Sequence, residues 1–188
     1  MESEVNRKEW LKMRKYVVVI NGKGGVGKDT LIEMVSKHFK VRNVSSVDGI
    51  KNIARSLGWD GQKDDKSRKF LADLKQLATD YNDYPFRYTC TELIEFLRDE
   101  NQELMFVHIR EGKEIQKFVN KVTDISKNVD VQVDTLLVRR STEKTTYGNK
   151  SDDNVDTYDY DYIYDNELPI EKVEYDFLLF LLKMLTKK

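Results

Sequence analysis

Residues 15–30 read KYVVVINGKGGVGKDT. The consecutive β-branched residues Val17, Val18, Val19 and Ile20 predict a strand buried on both faces. Gly22–Gly27 follows as a glycine-rich turn. Leu31, Met34, Val35, His38 and Phe39 then recur at helical spacing. The order is strand, loop, helix, and it repeats outward from here. A second short strand is expected over 43–47, ending at Asp48, with a helix over 49–57 closed by Gly58. Two more helices are expected over 65–82 and 86–98, split by Asn82-Asp83-Tyr84-Pro85. ELMFVHI, ending at Ile109, and VQVDTLLV, ending at Val138, read as strands with a helix over 111–122 between them. Tyr158–Tyr164 alternates Tyr with Asp, and we read it as a last strand with a wet acidic face in preference to an interaction surface. Residues 170–187 form a C-terminal helix. Strands alternating with helices predict an α/β fold whose parallel sheet of about five strands is covered on both faces. Ligands of such sheets bind at the carboxyl ends of the strands.

A chain of 188 residues fits one domain over 1–188, with room for a helical arm over about 49–98 and a lid over about 139–155. Lys+Arg is 32 and Asp+Glu is 33, a net charge of -1, so the basic surplus of a nucleic-acid binder is absent and no such partner is expected. The single cysteine, Cys90, excludes an intrachain disulfide framework and a multi-cysteine metal site, and reads as a half-buried helix residue. Residues 1–14 read as a charged helical lead-in anchored by Val5, Trp10, Leu11 and Met13, too charged for a signal peptide. The longest apolar run, Phe177–Leu182, is far short of the ~20 residues of a membrane span. No membrane partner and a cytoplasmic location are therefore expected. Nothing in the sequence marks an oligomeric state.

Gly22-Lys23-Gly24-Gly25-Val26-Gly27-Lys28 fits G-x-x-x-x-G-K, and it lies between an expected strand and an expected helix, as a phosphate-binding loop requires. Consecutive backbone N–H groups wrap a polyphosphate, and glycine lets the main chain bend and approach closely enough. The helix starting near Lys28 adds its positive end, and the Lys28 ammonium reaches the β- and γ-phosphates of ATP. The usual Ser/Thr after the lysine is Asp29, with Thr30 next. Two arrangements suit this spacing. Asp29 binds Mg²⁺ directly or through water, or Asp29 caps the helix and Thr30 is the metal ligand.

The loop resembles those of two families. Lys23–Lys28 is similar to the loop of partitioning-type ATPases (ParA/MinD-like), in which the first lysine acts across a dimer. Gly27-Lys28-Asp29-Thr30 resembles instead the loop of phage-type deoxynucleoside monophosphate kinases, and animal-type phosphomevalonate kinases share Gly-Lys-Asp there. The rest of the chain resembles the nucleotide kinases. Ser46-Val47-Asp48-Gly49-Ile50-Lys51 corresponds to their second strand end, with Gly49 in place of proline. Lys66–Leu71 and Leu74–Asp80 resemble their acceptor-arm stretch. Phe106-Val107-His108-Ile109-Arg110 resembles Val-x-Asp-Val-Arg, with His108 where the family has aspartate and Glu111 beside it. Leu136–Arg140, followed by a polar stretch to Asn154, resembles a strand leading into a lid. Tyr162–Lys172 resembles the family's last strand and the Asn-containing loop after it, which lies by the nucleotide base.

The resemblance implies a three-layer P-loop kinase fold that uses ATP and Mg²⁺. The implied reaction is in-line transfer of the γ-phosphoryl group to a phosphorylated small molecule, most simply a (deoxy)nucleoside monophosphate. It implies that Gly22–Thr30 binds ATP and that Lys28, Asp48, Arg110 and Arg139 serve transfer. It further implies that Arg139 and Arg140, with Lys144, close over the triphosphate. Asp48, Lys51, Arg68, Arg87 and Arg110 would meet the acceptor. A helix N-cap remains open for Asp48, and a solvated face remains open for Arg68 and Arg87. The partitioning-type ATPase and a nucleotide-binding homologue without transfer stand as rival readings. His108 in place of a carboxylate motivates the second.

Overall fold

A computed structural model describes residues 14–62, 64–141 and 155–187. The strands are β1 (Lys15–Asn21), β2 (Val41–Ser45), β3 (Leu104–His108), β4 (Val131–Arg139) and β5 (Tyr162–Asp165). They form one sheet in the order β2-β3-β1-β4-β5. Every neighbouring pair is parallel, with Ile20 opposite His108 and Leu136. The helices are α1 (Lys28–Ser36), α2 (Asp48–Ser56), α3 (Asp65–Asn82), α4 (Tyr84–Arg98), α5 (Gly112–Ser126) and α6 (Ile170–Thr186), with a 3-10 turn at Val155–Thr157. No helix among the described residues is long and apolar enough to cross a membrane.

The buried run of β1 serves two cores, because alternate side chains leave a strand on opposite faces. Val18 and Ile20 pack with Leu31 and Val35 of α1 and Phe177 and Leu181 of α6. Val17 and Val19 pack with Leu93 and Phe96 of α4 and Ile115 and Phe118 of α5. The sheet is thus covered on both faces. β1 is central, and the crossover from β1 to β2 passes over the place that β3 fills. That break in strand order leaves a crevice at the carboxyl ends of β1 and β3.

Three local expectations are corrected. The first helix ends at Ser36, before His38 and Phe39; His38 turns out to Glu174 at 2.9 Å. The second strand is Val41–Ser45, and Asp48 already belongs to α2, whose N-cap is Val47. The last strand starts only at Tyr162. The Asp161 carboxylate accepts from the Thr135 N–H at 2.8 Å and its hydroxyl at 2.7 Å, so a side chain takes the amide a longer ladder would need. Cys90 is half-buried on α4, where burial pushes its thiol up. The lead-in anchors Val5, Trp10, Leu11 and Met13 lie outside the described residues, as do Lys144 and most of the expected lid.

Candidate active site

The turn after β1 is set by glycine where the main chain needs it. Gly22 has φ +145°, and a Cβ there would lie 2.4 Å from the Val138 carbonyl oxygen of β4. Gly27 has φ +94°, and its Cβ would lie 2.6 Å from Asn166 Nδ2. A Cβ on Gly25 would meet nothing within 4 Å, so the crest of the loop faces open space. α1 starts at Lys28 with Gly27 as its N-cap, and glycine brings no side chain to the first-turn N–H groups. Such a helix end favours an anion. The Lys28 ammonium lies back across the loop, 2.5 Å from Gly22 O and 2.9 Å from Lys23 O.

Two carboxamides that sequence reading did not single out hold the loop from outside. Asn21, 1% exposed, accepts the Gly22 N–H on Oδ1 at 2.8 Å. Its Nδ2 donates to Arg110 O at 3.0 Å and to the Tyr160 hydroxyl at 2.7 Å. Asn166, directly after β5, donates from Nδ2 to Val26 O at 2.8 Å. The only signal for Asn21 was its place at a strand end, whereas Asn166 lies in the stretch that resembles the kinases' Asn-containing loop. Lys23, with a side chain 12% exposed, faces Asp156 at 3.4 Å in its own chain.

The other strand ends face this loop. Asp29 is on the first turn of α1 with a side chain 94% exposed, and its Oδ1 stands 4.0 Å from His108 Nε2. Thr30 is exposed beside it. Among the described residues no group of three or more His, Cys, Asp or Glu could hold a metal by itself. A Mg²⁺ ion needs less, because it keeps waters and phosphate oxygens and takes one or two protein oxygens. Asp29 and Thr30 fit that demand. Burial holds the His108 imidazole down at about 4, with Asp29 opposing and Lys28 assisting. The neutral ring faces Asn43 Oδ1 at 2.8 Å through Nε2, as an N–H donor. Asp48 accepts the Ser45 N–H at 2.7 Å and the Lys51 ammonium at 2.9 Å. Arg139 grips Asp165 with two bonds, 2.8 and 3.1 Å, and Arg140 next to it is exposed.

A cavity of about 390 Å³ lies between this edge and the helical arm. The sheet edge contributes Ser46 and Ile109, and α3 contributes Lys75 and Thr79. α4 contributes Phe86 and Thr89; Glu111, Lys113 and Glu114 close the α5 side. Lys75 and Glu111 pair at 2.5 Å. Asp48, Lys51, Arg68, Arg87 and Arg110 are not among the lining residues. Arg110 stands between Ile109 and Glu111, which are. Arg87 is exposed, and Arg68 points outward on α3, its side chain 71% exposed and 3.5 Å from Asp65. Gly49 lets α2 rest on the α4 rings, since a Cβ there would lie 2.9 Å from both Tyr84 and Tyr88.

No family model matches this chain, and no curated protein matches it. Among solved structures it is similar to TT1252 from Thermus thermophilus, at 17% identity and a TM-score of 0.50, over 93% of this chain and 100% of that one. It is also matched to a variant of the Mycobacterium tuberculosis APS kinase CysC, at 13% identity and a TM-score of 0.38, over 91% and 99% of the two chains. An unliganded sugar kinase from Janibacter sp. HTCC2649 matches at 16% identity and a TM-score of 0.43, over 89% and 94%. At these identities the likeness is one of fold. The parallel sheet of five strands, with a glycine loop after its first strand and helices on both faces, makes this chain a three-layer α/β protein, and the likeness to TT1252 is one of that fold.

Proposed function

We propose that this protein transfers the γ-phosphoryl group of ATP to a small phosphorylated acceptor, with a nucleoside monophosphate as the best-fitting class. One observation carries the reading: the phosphate loop and the cavity share one edge of the sheet. Ile20, just before the loop, lies opposite His108, and Ile109 and Glu111 line the cavity. A donor phosphate and an acceptor would meet there, which is most of what such a transfer requires.

The chain's residues divide the work. Amides from Gly22 to Lys28 hold the triphosphate, and the Lys28 ammonium exchanges its carbonyl partners for phosphate oxygens. Asp29 and Thr30 offer oxygens to Mg²⁺. Bound ATP and Mg²⁺ would supply the phosphoryl group and neutralise its charge. Lys75 and Lys113 face an acceptor phosphate, Phe86 offers a ring to a base, and Thr79 and Thr89 offer hydroxyls. Asp48, fixed by the Ser45 amide and Lys51, orients the attacking oxygen. Arg110 attends the transferring group, while Arg139 and Arg140 attend the triphosphate from the end of β4. Arg68 and Arg87 remain acceptor candidates from the arm. Catalysis here is alignment and charge neutralisation, with no covalent intermediate.

The burial of Lys23 beside its own Asp156 favours this reading over a partitioning-type ATPase, whose first lysine must reach a second subunit. The test is an acceptor screen with Mg²⁺-ATP over ribo- and deoxyribonucleoside monophosphates, reading ADP formation. Acceptor-dependent ADP is expected. ATP binding with no turnover for any acceptor would favour the homologue without transfer, and ATP-driven dimerisation would favour the switch.

A further inference from the structure

Asn166 carries a cost that packing does not explain. It is 5% exposed, and its Oδ1 is buried with no hydrogen-bond partner among the described residues. A carbonyl oxygen left that way is unfavourable, and an apolar side chain would avoid it. The other half of the amide is fully used. Its Nδ2 holds the Val26 carbonyl at 2.8 Å and sits where a Gly27 side chain would be. The main chain of the same residue donates to Arg139 O at 2.8 Å, and its neighbour Asp165 holds the Arg139 guanidinium.

A peptide group is planar and trans, so its C=O and the following N–H point in opposite directions. Fixing Val26 C=O towards Asn166 therefore turns the Gly27 N–H away from Asn166. Without that contact, glycine at φ +94° leaves the Val26–Gly27 peptide free to rotate. We propose that Asn166 is a positioning residue for the phosphate loop: its amide locks the Val26–Gly27 peptide so that the Gly27 N–H stays presented to the triphosphate. The same residue ties the loop's geometry to Arg139. The proposal rests on the ATP-binding reading above.

The test compares the full-length wild type with Asn166→Ala, Asn166→Asp and Tyr164→Phe. Three quantities are read: the Kd of a non-hydrolysable Mg²⁺-ATP analogue, the KM of the acceptor, and Tm. Asn166→Asp keeps the shape but replaces the donor with an oxygen facing Val26 O. Tyr164→Phe, on the strand that leads to Asn166, removes a 2.9 Å bond to Asp176 of α6 and serves as the stability control. We expect the analogue to bind about tenfold or more weakly to both Asn166 variants, the loss of roughly one strong hydrogen bond. The acceptor KM should be unchanged, and Tyr164→Phe should lower Tm without weakening the analogue. If Asn166→Ala does not fold, Asn166→Asp decides alone. Asn166→Asp binding like wild type would make the residue a space filler and overturn the proposal. Equal weakening in Tyr164→Phe would also overturn it. A wild type that binds no analogue would instead defeat the ATP-binding reading itself.

Discussion

Two lysines mark the two ends of β1, and both give their ammonium to main-chain carbonyls. Lys15, at the amino end, donates to Phe96 O at 3.2 Å and to Asp99 O and Gln102 O at 2.5 Å, closing the end of α4. Lys28, past the carboxyl end, donates to Gly22 O and Lys23 O. The chemistry is the same and the consequence differs. The partners of Lys15 belong to a helix end and its turn, where a cation is already the favoured guest. The partners of Lys28 belong to a glycine loop with an open crest, beside a helix start that favours an anion. One lysine completes a structure. On the proposed function, the other exchanges its carbonyls for phosphate.

The largest effect should come from Lys28→Met. We expect turnover to fall by about 10²–10³-fold or more, as when a donor to the developing charge is lost, with little change in Tm. Retained turnover would erase the distinction between the two lysines. The next effect belongs to His108, which lies beside Lys28 and Asp29. Below about pH 6.5 the unfolded imidazole takes a proton that the folded ring refuses until about 4. The unfolded chain then binds more protons, so stability falls as pH drops through that window, by up to about 3 kcal/mol. Denaturant titrations at several pH values should show the slope, and His108→Asn should flatten it.

Lys15→Met is the mirror experiment. Three carbonyls lose their cation, and we expect a loss of about 2 kcal/mol in denaturant unfolding with unchanged KM values. A change in KM for ATP would show that the two ends of β1 are coupled. The smallest effect is Arg68→Ala. Its pair with Asp65 is exposed, so stability should move by less than about 0.5 kcal/mol. The acceptor KM should move less than it does in Lys75→Ala, and the reverse order would bring Arg68 back to the acceptor.

Much of the sheet could be read in advance. β1 and β3 announced themselves by unbroken apolar runs, and the loop between β1 and α1 by its glycines. The lining of the cavity could not be read. α3 carries Phe70, Leu71, Leu74 and Ala78 at helical spacing but buries none of them, so that stripe does not say which polar side chains beside it reach the cavity. A guanidinium drew attention to Arg68, yet docking against α4 turns Lys75 and Thr79 to the cavity instead. Asn21 and Asn166 were hidden for another reason. Their partners are main-chain atoms, and a carboxamide that binds backbone leaves no mark in sequence spacing.

Gly49 governs a dimension of the molecule from outside the cavity. α4 leans its Tyr84 and Tyr88 rings on that bare backbone, and Pro85 and Phe86 of the same helix line the cavity. A proline or alanine at 49 would wedge the helix outward. The breadth of the chamber is thus fixed by the lack of a single methyl group.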